Sequence, residues 1–223
     1  MLHKLIFFFG AILIYLHIFI HFKISALNEF TTIDAISKEK ILSSIYYKLP
    51  FAFDGTNIIK PIDLKMIKEK ETKETKESNT QTKSKDKKKK IYKKSYESFP
   101  LLEPSVRFFT NNAIYELKKD KSIGIHRNLE CRNFYMAHSG KFIIYCIHPK
   151  YKLSDLSDLS DLDMDKIIEN DEILRVELYP NSILFVPNYW HVYIKSIEKS
   201  VIEKVQYKTI LNEINILYDK YKL

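Results

Sequence analysis

An acidic repeat is the feature of this sequence that most directly offers ligands to a metal ion. Asp155, Asp158 and Asp161 recur every three residues within the stretch LSDLSDLSDLD. Closely spaced carboxylates could hold Ca²⁺, but the ligand spacing and the glycine of an EF-hand loop are absent. The repeat is instead typical of a low-complexity insertion in a surface loop.

The two cysteines, Cys131 and Cys146, offer no C-x-x-C metal pair and no disulfide framework. Cys146 lies in the apolar run FIIYCI and is expected to be a buried small hydrophobe. A single disulfide between the two would require an oxidising compartment. The spacing of the other residues supports no Ser-His-Asp or Cys-His arrangement, and four glycines are too few for a phosphate-binding loop.

His191 begins a run, HVYIKS, whose two faces differ. The histidine alternates with a tyrosine and a lysine, while a valine and an isoleucine take the opposite face. The polar face is either the interior of a barrel or a surface that contacts solvent. Trp190, which precedes the run, is expected in the core because tryptophan is highly buried on average.

The elements that would position these residues are short strands. After Phe99 the sequence consists of runs rich in aromatic and branched residues, several of them separated by turn signals such as Asn111-Asn112 and Ser139-Gly140. Eight such runs predict a mainly β fold, a jelly roll (double-stranded β-helix), followed by a C-terminal helix from Thr209 to Leu223. The predicted strands are 106–109, 113–117, 133–137, 141–147, 173–179, 182–186, 190–197 and 201–207.

Two blocks of this region carry a resemblance to a known family. The string VELYPNSILFVPNYWHVYIKS resembles the end of the cupin-like, JmjC-related domain, in which a Pro-x-x-Trp-x-His type element places a histidine inside the barrel. The string IHRNLECRNFYMAHSGKFIIYCIHPKY resembles the earlier half of that domain. Together with the tail residues Tyr207, Thr209 and Asn212, the blocks look most like membrane-anchored cupin-like proteins of giant DNA viruses. The resemblance covers roughly residues 100–223.

The resemblance implies an iron site. Members of this family that are enzymes are Fe(II)/2-oxoglutarate oxygenases with a His-x-Asp/Glu…His triad. The corresponding residues are His126, Asn128 and His191, and Lys141 would be the cation that binds 2-oxoglutarate. Asn128 departs from the pattern, because a neutral amide binds a hard divalent cation more weakly than a carboxylate does. Glu130 is the nearest carboxylate, and its use would require a local bulge.

The N-terminus contains an apolar helix. Residues Leu5 to Phe22 carry no formal charge, and as a helix they would span roughly 27 Å, close to the ~30 Å hydrocarbon core of a bilayer. We therefore predict a single-pass transmembrane anchor over residues 1–26, in contact with lipid through residues 5–22. The alternative is a signal peptide cleaved after Ala26, whose apolar core is normally shorter.

Between this anchor and the β domain lie two further segments. Residues 27–64 are expected to form a short helix and loops, and residues 65–98 a disordered linker or insertion rich in lysine and glutamate. The run from Lys65 to Lys94 contains 13 lysines against 5 acidic residues, which accounts for the net charge of +8. This distribution argues against a folded surface specific for nucleic acid. Lys83 to Lys94 is either a polybasic patch for an anionic surface or a solvated spacer.

These observations leave two functional hypotheses for the 99–223 domain. The favoured one is a membrane-tethered, non-catalytic cupin-like module with a structural or interaction role, an unknown protein partner and no cofactor, in a host-cell or virion membrane. The alternative is a membrane-anchored oxygenase that uses Fe(II) and 2-oxoglutarate to hydroxylate a protein or another polymer. The residue at position 128 separates them, since a carboxylate there would favour the enzyme.

Overall fold

The structure is a computed structural model that describes residues 2–23, 29–33, 37–59, 103–104, 107–151, 173–210, 212–213 and 216–217. The predicted linker at 65–98 and the acidic repeat with Asp155, Asp158 and Asp161 lie outside the described residues.

Two helices and ten strands make up the described part of the chain. Their bounds in chain order are α1 Leu2–Phe22, β1 Thr31–Ile33, α2 Lys38–Tyr47, β2 Phe51–Asp54, β3 Phe109–Leu117, β4 Ser122–Arg127, β5 Arg132–Ser139, β6 Phe142–Ile147, β7 Leu174–Leu178, β8 Ser182–Pro187, β9 His191–Ser196 and β10 Ser200–Lys208.

The strands form two sheets, in the orders β1-β2-β8-β5-β10-β3 and β4-β9-β6-β7. In the larger sheet β10 lies between β3 and β5, and in the smaller sheet β9 lies between β4 and β6. The last strands thus return to lie between the first ones, and their pairings are antiparallel. This is the wrapping of an eight-stranded jelly roll. The structure is mainly β with two sheets, as predicted.

The main core lies between the two sheets, because the strands turn alternate side chains inward. Tyr135 of β5, Phe142 of β6, Ile194 of β9 and Ile202 of β10 belong to this core and are almost completely buried. Trp190 joins them at 1% exposure, which confirms its predicted place. Cys146 is fully buried here as predicted, and both cysteines are free thiols.

A second core lies on the outer face of the larger sheet. Ile41 of α2 packs there with Phe51 and Phe53 of β2 and with Phe134 and Phe185 of the sheet. Ser37 precedes α2 without a side-chain capping bond, and Lys48 ends the helix in the left-handed conformation at φ 59°. The segment 27–64 therefore provides the predicted helix and also two strands, β1 and β2, which the sequence analysis missed.

Two expectations for the first strands of the roll are corrected. Asn111-Asn112, expected as a turn, lies inside β3, where both asparagines pair with β10 and donate hydrogen bonds to Gln206 and Glu203. The region of His126, which was not among the predicted strands, is strand β4 with a bulge after Ile123. Of the described residues after β10, Thr209 is not helical, whereas Ile210, Asn212, Glu213, Ile216 and Leu217 are helical as predicted.

Helix α1 exposes its large apolar side chains, among them Phe7 at 81% and Phe8 at 64%. Counting described residues alone, no helix combines the length and apolarity needed to cross a bilayer.

Candidate functional site

The polar end of the roll interior

One end of the interior between the sheets is polar. His126 projects inward from β4, and its Nε2 lies 3.1 Å from the hydroxyl oxygen of Tyr135 on β5. The Tyr135 hydroxyl in turn donates a 2.9 Å hydrogen bond to Oδ1 of Asn128, which follows β4. His126 Nδ1 lies 3.1 Å from the Gly124 carbonyl oxygen. These contacts link the three side chains; a neutral imidazole has one N–H, so His126 donates to only one of its two oxygen neighbours.

The backbone around Asn128 holds it against the turn before β9. Its N–H donates to the Trp190 carbonyl oxygen at 2.9 Å, and its carbonyl oxygen accepts from Tyr189 N–H. Tyr189 adopts the left-handed conformation at φ 72°, which is unusual for a bulky residue. Arg127 lies over the Tyr189 ring, 5.0 Å from its centroid. The fold therefore fixes Asn128, which is fully buried.

Lys204 of β10 contributes an ammonium group to the same end. It pairs across the sheet with Tyr135, and its Nζ lies 5.4 Å from the centroid of that ring. The residue is only 7% exposed. Burial lowers the pKa of Lys204, and the charge of nearby Glu130 offsets part of this shift. The Glu130 carboxylate accepts from Gln206, which also donates to Asn133 at 3.1 Å.

Burial governs the protonation of this cluster. It lowers the pKa of His126, with a smaller contribution from the Lys204 charge, to about 4. It also lowers the pKa of Lys204 to about 8 and raises that of Tyr135 well above its ordinary value. At neutral pH the histidine and the phenol are therefore uncharged, while Lys204 is mostly protonated.

Placement of the residues predicted from sequence

His191 lies on the other face of the smaller sheet. The register pairs His126 with Val192 and pairs Arg127 with His191, and directly opposed residues point to the same face. Val192 belongs to the core between the sheets, so it is Val192 that shares the inner face with His126. His191 points outward with its neighbour Tyr193, into a third buried cluster.

His191 is nevertheless only 3% exposed. Neither of its ring nitrogens has a hydrogen-bond partner in the described part of the chain. Burial, and then the charge of Arg127, lowers its pKa to about 4. The polar alternation of HVYIKS therefore marks a buried outer face of the sheet, neither the barrel interior nor a solvent-facing surface.

Lys141 lies far from this cluster. Its Nζ forms a 2.6 Å ion pair with Glu177 and lies 4.9 Å from the centroid of the Tyr179 ring. Lys141 comes five residues before Cys146, which pairs with Val192. At about 3.3 Å per residue, the separation along the strand is roughly 16 Å. The structure brings His126 and Asn128 together and keeps Lys141 and His191 apart from them.

This arrangement does not fit a facial triad for iron. The Asn128 oxygen accepts the Tyr135 hydroxyl, and each ring nitrogen of His126 lies 3.1 Å from an oxygen atom of the protein. The third residue, His191, faces away from the first two by the strand register. Across the described residues, no group of three or more His, Cys, Asp or Glu side chains is placed to hold a metal ion.

Sequence reasoning missed Tyr135 and Lys204. The run VIEKVQY on β10 has polar residues on both faces, with Glu203 on one and Lys204 on the other. Alternation alone therefore cannot show which charge faces the interior. The sequence contains no local signal for this pair. Tyr135 lies directly opposite Lys204, and this is known only once the strand register is known.

Comparison with known proteins

No protein-family model matches this chain, and no curated protein matches it. Among solved structures, the chain is similar to a cupin superfamily protein from Desulfitobacterium hafniense DCB-2. The TM-score is 0.31 with 12% identical residues, and the match covers 47% of this chain and 71% of that protein. The jelly-roll assignment rests on the strand order of the two sheets. The JmjC-related and viral parts of the resemblance stay predictions.

Proposed function

We propose that this chain is a membrane-attached jelly-roll protein with a structural or interaction role and no catalytic activity. Its helix α1 contacts lipid through residues 5–22, in a host-cell or virion membrane. Residues 83–94 are a second contact, with an anionic surface. The partner of the roll is a protein whose identity the sequence does not reveal.

The non-catalytic part of this proposal rests on the neutral, hydrogen-bonded amide of Asn128. A triad needs an anionic oxygen to offset the charge of Fe²⁺, and the amide here is neutral. Its oxygen already accepts a hydrogen bond from Tyr135. Val192 occupies the inward position opposite His126, where a second imidazole would be needed. Iron would thus have one histidine and one weak ligand on the inner face.

The membrane part is supported by the surface of α1. Twelve large apolar side chains between Leu5 and Phe19 are exposed by more than a third. Apolar surface in water is unfavourable by about 25 cal/mol per Å², and contiguous patches of this kind mark interaction sites. Lipid is the occupant that suits a helix with apolar residues on every side.

Anaerobic titration of the full chain in detergent with Fe²⁺ and 2-oxoglutarate tests the absence of catalysis. We expect no metal–2-oxoglutarate absorption band from the native protein. A stoichiometric band, lost on His191→Ala, would instead favour the oxygenase alternative. The double variant Asn128→Asp with Val192→His is the positive control, because it places a carboxylate and a second imidazole on the face that carries His126.

A further inference from the structure

The two sheets differ in width at one edge of the roll. The larger sheet continues past β8 with β2 and β1, whereas the smaller sheet ends at β7. A tight turn connects β7 to β8, in which the Ser182 N–H donates to the Tyr179 carbonyl oxygen at 3.0 Å. Val176 of β7 and Leu184 of β8 belong to the same core between the sheets. β7 therefore lies opposite β8, and β2 and β1 extend beyond the edge of the smaller sheet.

This extension of the larger sheet is the floor of an open groove with a volume of about 460 Å³. Thr32 of β1 lies directly opposite Ala52 of β2, and Ala52 packs against the core between the sheets. Both therefore face inward, and so does Asp54, two residues further along β2. All three line the groove together with Val176 and Glu177 of β7. Its volume lies within the range of roughly 300–1,000 Å³ that is typical of ligand pockets.

β7 presents an open edge to this groove. Its only strand partner among the described residues is β6. At alternate residues, an edge strand directs its N–H and C=O groups away from its partner. An added strand would pair with these groups about 4.8 Å from β7, and the two strands of the extension leave about 10 Å for it. The groove therefore has the shape and the backbone groups to hold an extended polypeptide segment.

The groove also carries an uncompensated negative charge. Glu177, at its rim, forms ion pairs with Arg175 at 2.8 Å and with Lys141 at 2.6 Å. Asp54 is exposed, and it forms no ion pair with any residue that the structure describes. Its carboxylate accepts hydrogen bonds from Thr56, at 2.9 Å from the backbone N–H and 2.6 Å from the hydroxyl. A segment in the groove would therefore be favoured by a basic side chain directed toward Asp54.

A second copy of the chain does not fit this groove. Two β7 strands could pair antiparallel about a two-fold axis perpendicular to the sheets. Because β8 lies opposite β7, the larger sheet of the second copy would then lie in the same layer as β2 and β1, and the two would overlap. The groove therefore admits a strand that has no second sheet behind it, such as an extended loop or terminus of another protein.

We propose that the groove between β7 and the extension formed by β1 and β2 binds an extended segment of a partner protein by strand addition. The segment pairs with the open edge of β7, which supplies main-chain hydrogen bonds. Its inward side chains are apolar where they contact Thr32 and Ala52, and a lysine or arginine lies beside Asp54. The inference rests on the proposed interaction role of the roll and names the surface that performs it.

The experiment is a fluorescence anisotropy titration of the full chain in detergent. The probes are two labelled peptides with blocked termini, Thr-Val-Thr-Val-Thr-Lys-Thr and its reverse, Thr-Lys-Thr-Val-Thr-Val-Thr, which cover both strand directions. In an extended peptide the valines and the lysine share one face. We expect saturable binding of at least one probe, and weaker binding when its lysine is replaced by glutamate, because Asp54 repels that charge.

Two pairs of variants locate the binding. Thr32→Tyr fills the groove and should weaken binding about 10-fold or more, whereas Thr31→Tyr, on the other face of β1, should bind like the native protein. Asp54→Asn should weaken binding about 2- to 5-fold, the size of an exposed ion pair. Asp120→Asn is its control, because Asp120 is exposed in the turn between β3 and β4, at the opposite edges of both sheets.

Backbone methylation of the probe tests strand addition itself. The N–H groups of alternate residues point to opposite edges of a strand. N-methylation of the valines and the lysine, or of the threonines, therefore removes the donors of one edge at a time. We expect one of these two peptides to bind and the other to bind about 10-fold more weakly or less. Equal affinity of both would show that the backbone does not pair with β7.

Three further results would overturn the proposal. The first is the absence of saturable binding of both probes to native protein whose fold is verified by circular dichroism. The second is unchanged affinity in Thr32→Tyr. The third is a dimer of the native chain in analytical ultracentrifugation that Thr32→Tyr abolishes, since a second copy would then occupy the groove. An iron–2-oxoglutarate band would refute the non-catalytic function, whereas failure of peptide binding alone would refute only this inference.

Discussion

Lys204 and Tyr135, which pair across the larger sheet, have opposite effects on the stability of the fold. Lys204 desolvates an ammonium group without a paired anion, which opposes folding. Tyr135 has the opposite effect, because its hydroxyl joins His126 and Asn128 and so satisfies polar atoms that would otherwise be stranded.

Replacing Lys204 by methionine should raise the free energy of unfolding at pH 7 by about 1–3 kcal/mol. Methionine has a similar shape to lysine but carries no charge that burial must desolvate. Burial lowers the pKa of Lys204 from 10.5 to about 8, so between these values the unfolded chain binds more protons than the folded chain. Stability of the native protein should therefore rise with pH across that window, and less so in the variant. Urea unfolding at pH 7 and pH 10 measures both effects.

The control for that experiment is Lys141→Met, whose ion pair is on the surface and should contribute little. Part of the pH dependence should persist in Lys204→Met, because burial also lowers the pKa of Lys48 to about 8. A Lys204→Met protein that is less stable than the native chain at pH 7 would show that Lys204 supports the fold.

Removing the Tyr135 hydroxyl with phenylalanine should lower the free energy of unfolding by about 1–3 kcal/mol, because the buried Asn128 oxygen loses its donor and His126 Nε2 loses its contact. Tyr179→Phe is the matched control, since Tyr179 is 50% exposed and its hydroxyl bonds a surface carboxylate. Chemical denaturation of both variants measures the change in the free energy of unfolding. Equal, small effects would mean that the interior hydrogen bonds contribute nothing net.

At the scale of elements, the sequence predicted the strands whose composition matches their environment. β5 to β10 are apolar on at least one face and bounded by turns, so their patterns are unambiguous. β4 was missed because SIGIHR contains a glycine and a bulge, which break the alternation. Part of the candidate site could not be predicted from the sequence. The face that His191 occupies depends on its pairing with Arg127, and no local pattern encodes a cross-strand register.

The turn between β5 and β6 depends on Gly140. This residue has φ of +74°, and a Cβ there would clash with the Ser200 side chain and lie 2.8 Å from the Lys199 carbonyl oxygen. Gly140→Ala should therefore lower the free energy of unfolding by about 1–3 kcal/mol. Gly124→Ala is the control, because a Cβ at Gly124 meets no atom within 4 Å. Thermal unfolding should separate the two variants by several degrees, and similar midpoints would refute the strain argument.

At the scale of the whole molecule, the jelly roll is only part of the chain. Its two sheets, together with β1, α2 and β2, form the buried cores. Helix α1 belongs to neither core, and its apolar surface is exposed. The lysine-rich run from 65 to 94 lies outside the described residues, and its scarcity of apolar residues predicts that it does not fold.

Deleting residues 65–94 should leave the thermal midpoint of the roll unchanged within about 2 °C, since a segment that buries little apolar surface adds little stability. Differential scanning calorimetry of the deletion variant beside the full chain measures this. A collapse of the transition would show that the run is a structural part of the fold.

Attachment through α1 is the last prediction. If each of its exposed large side chains contributes about 1 kcal/mol on leaving water, the helix gains on the order of 10 kcal/mol in lipid. The full chain should therefore sediment with membranes and stay there in high salt and at alkaline pH. Deleting residues 2–22 should release it, whereas replacing the lysines between 83 and 94 by glutamine should change only the salt-sensitive fraction. A soluble full-length chain, or a mature protein that begins near Leu27, would contradict a retained anchor. The second result would instead identify the segment as a cleaved signal peptide.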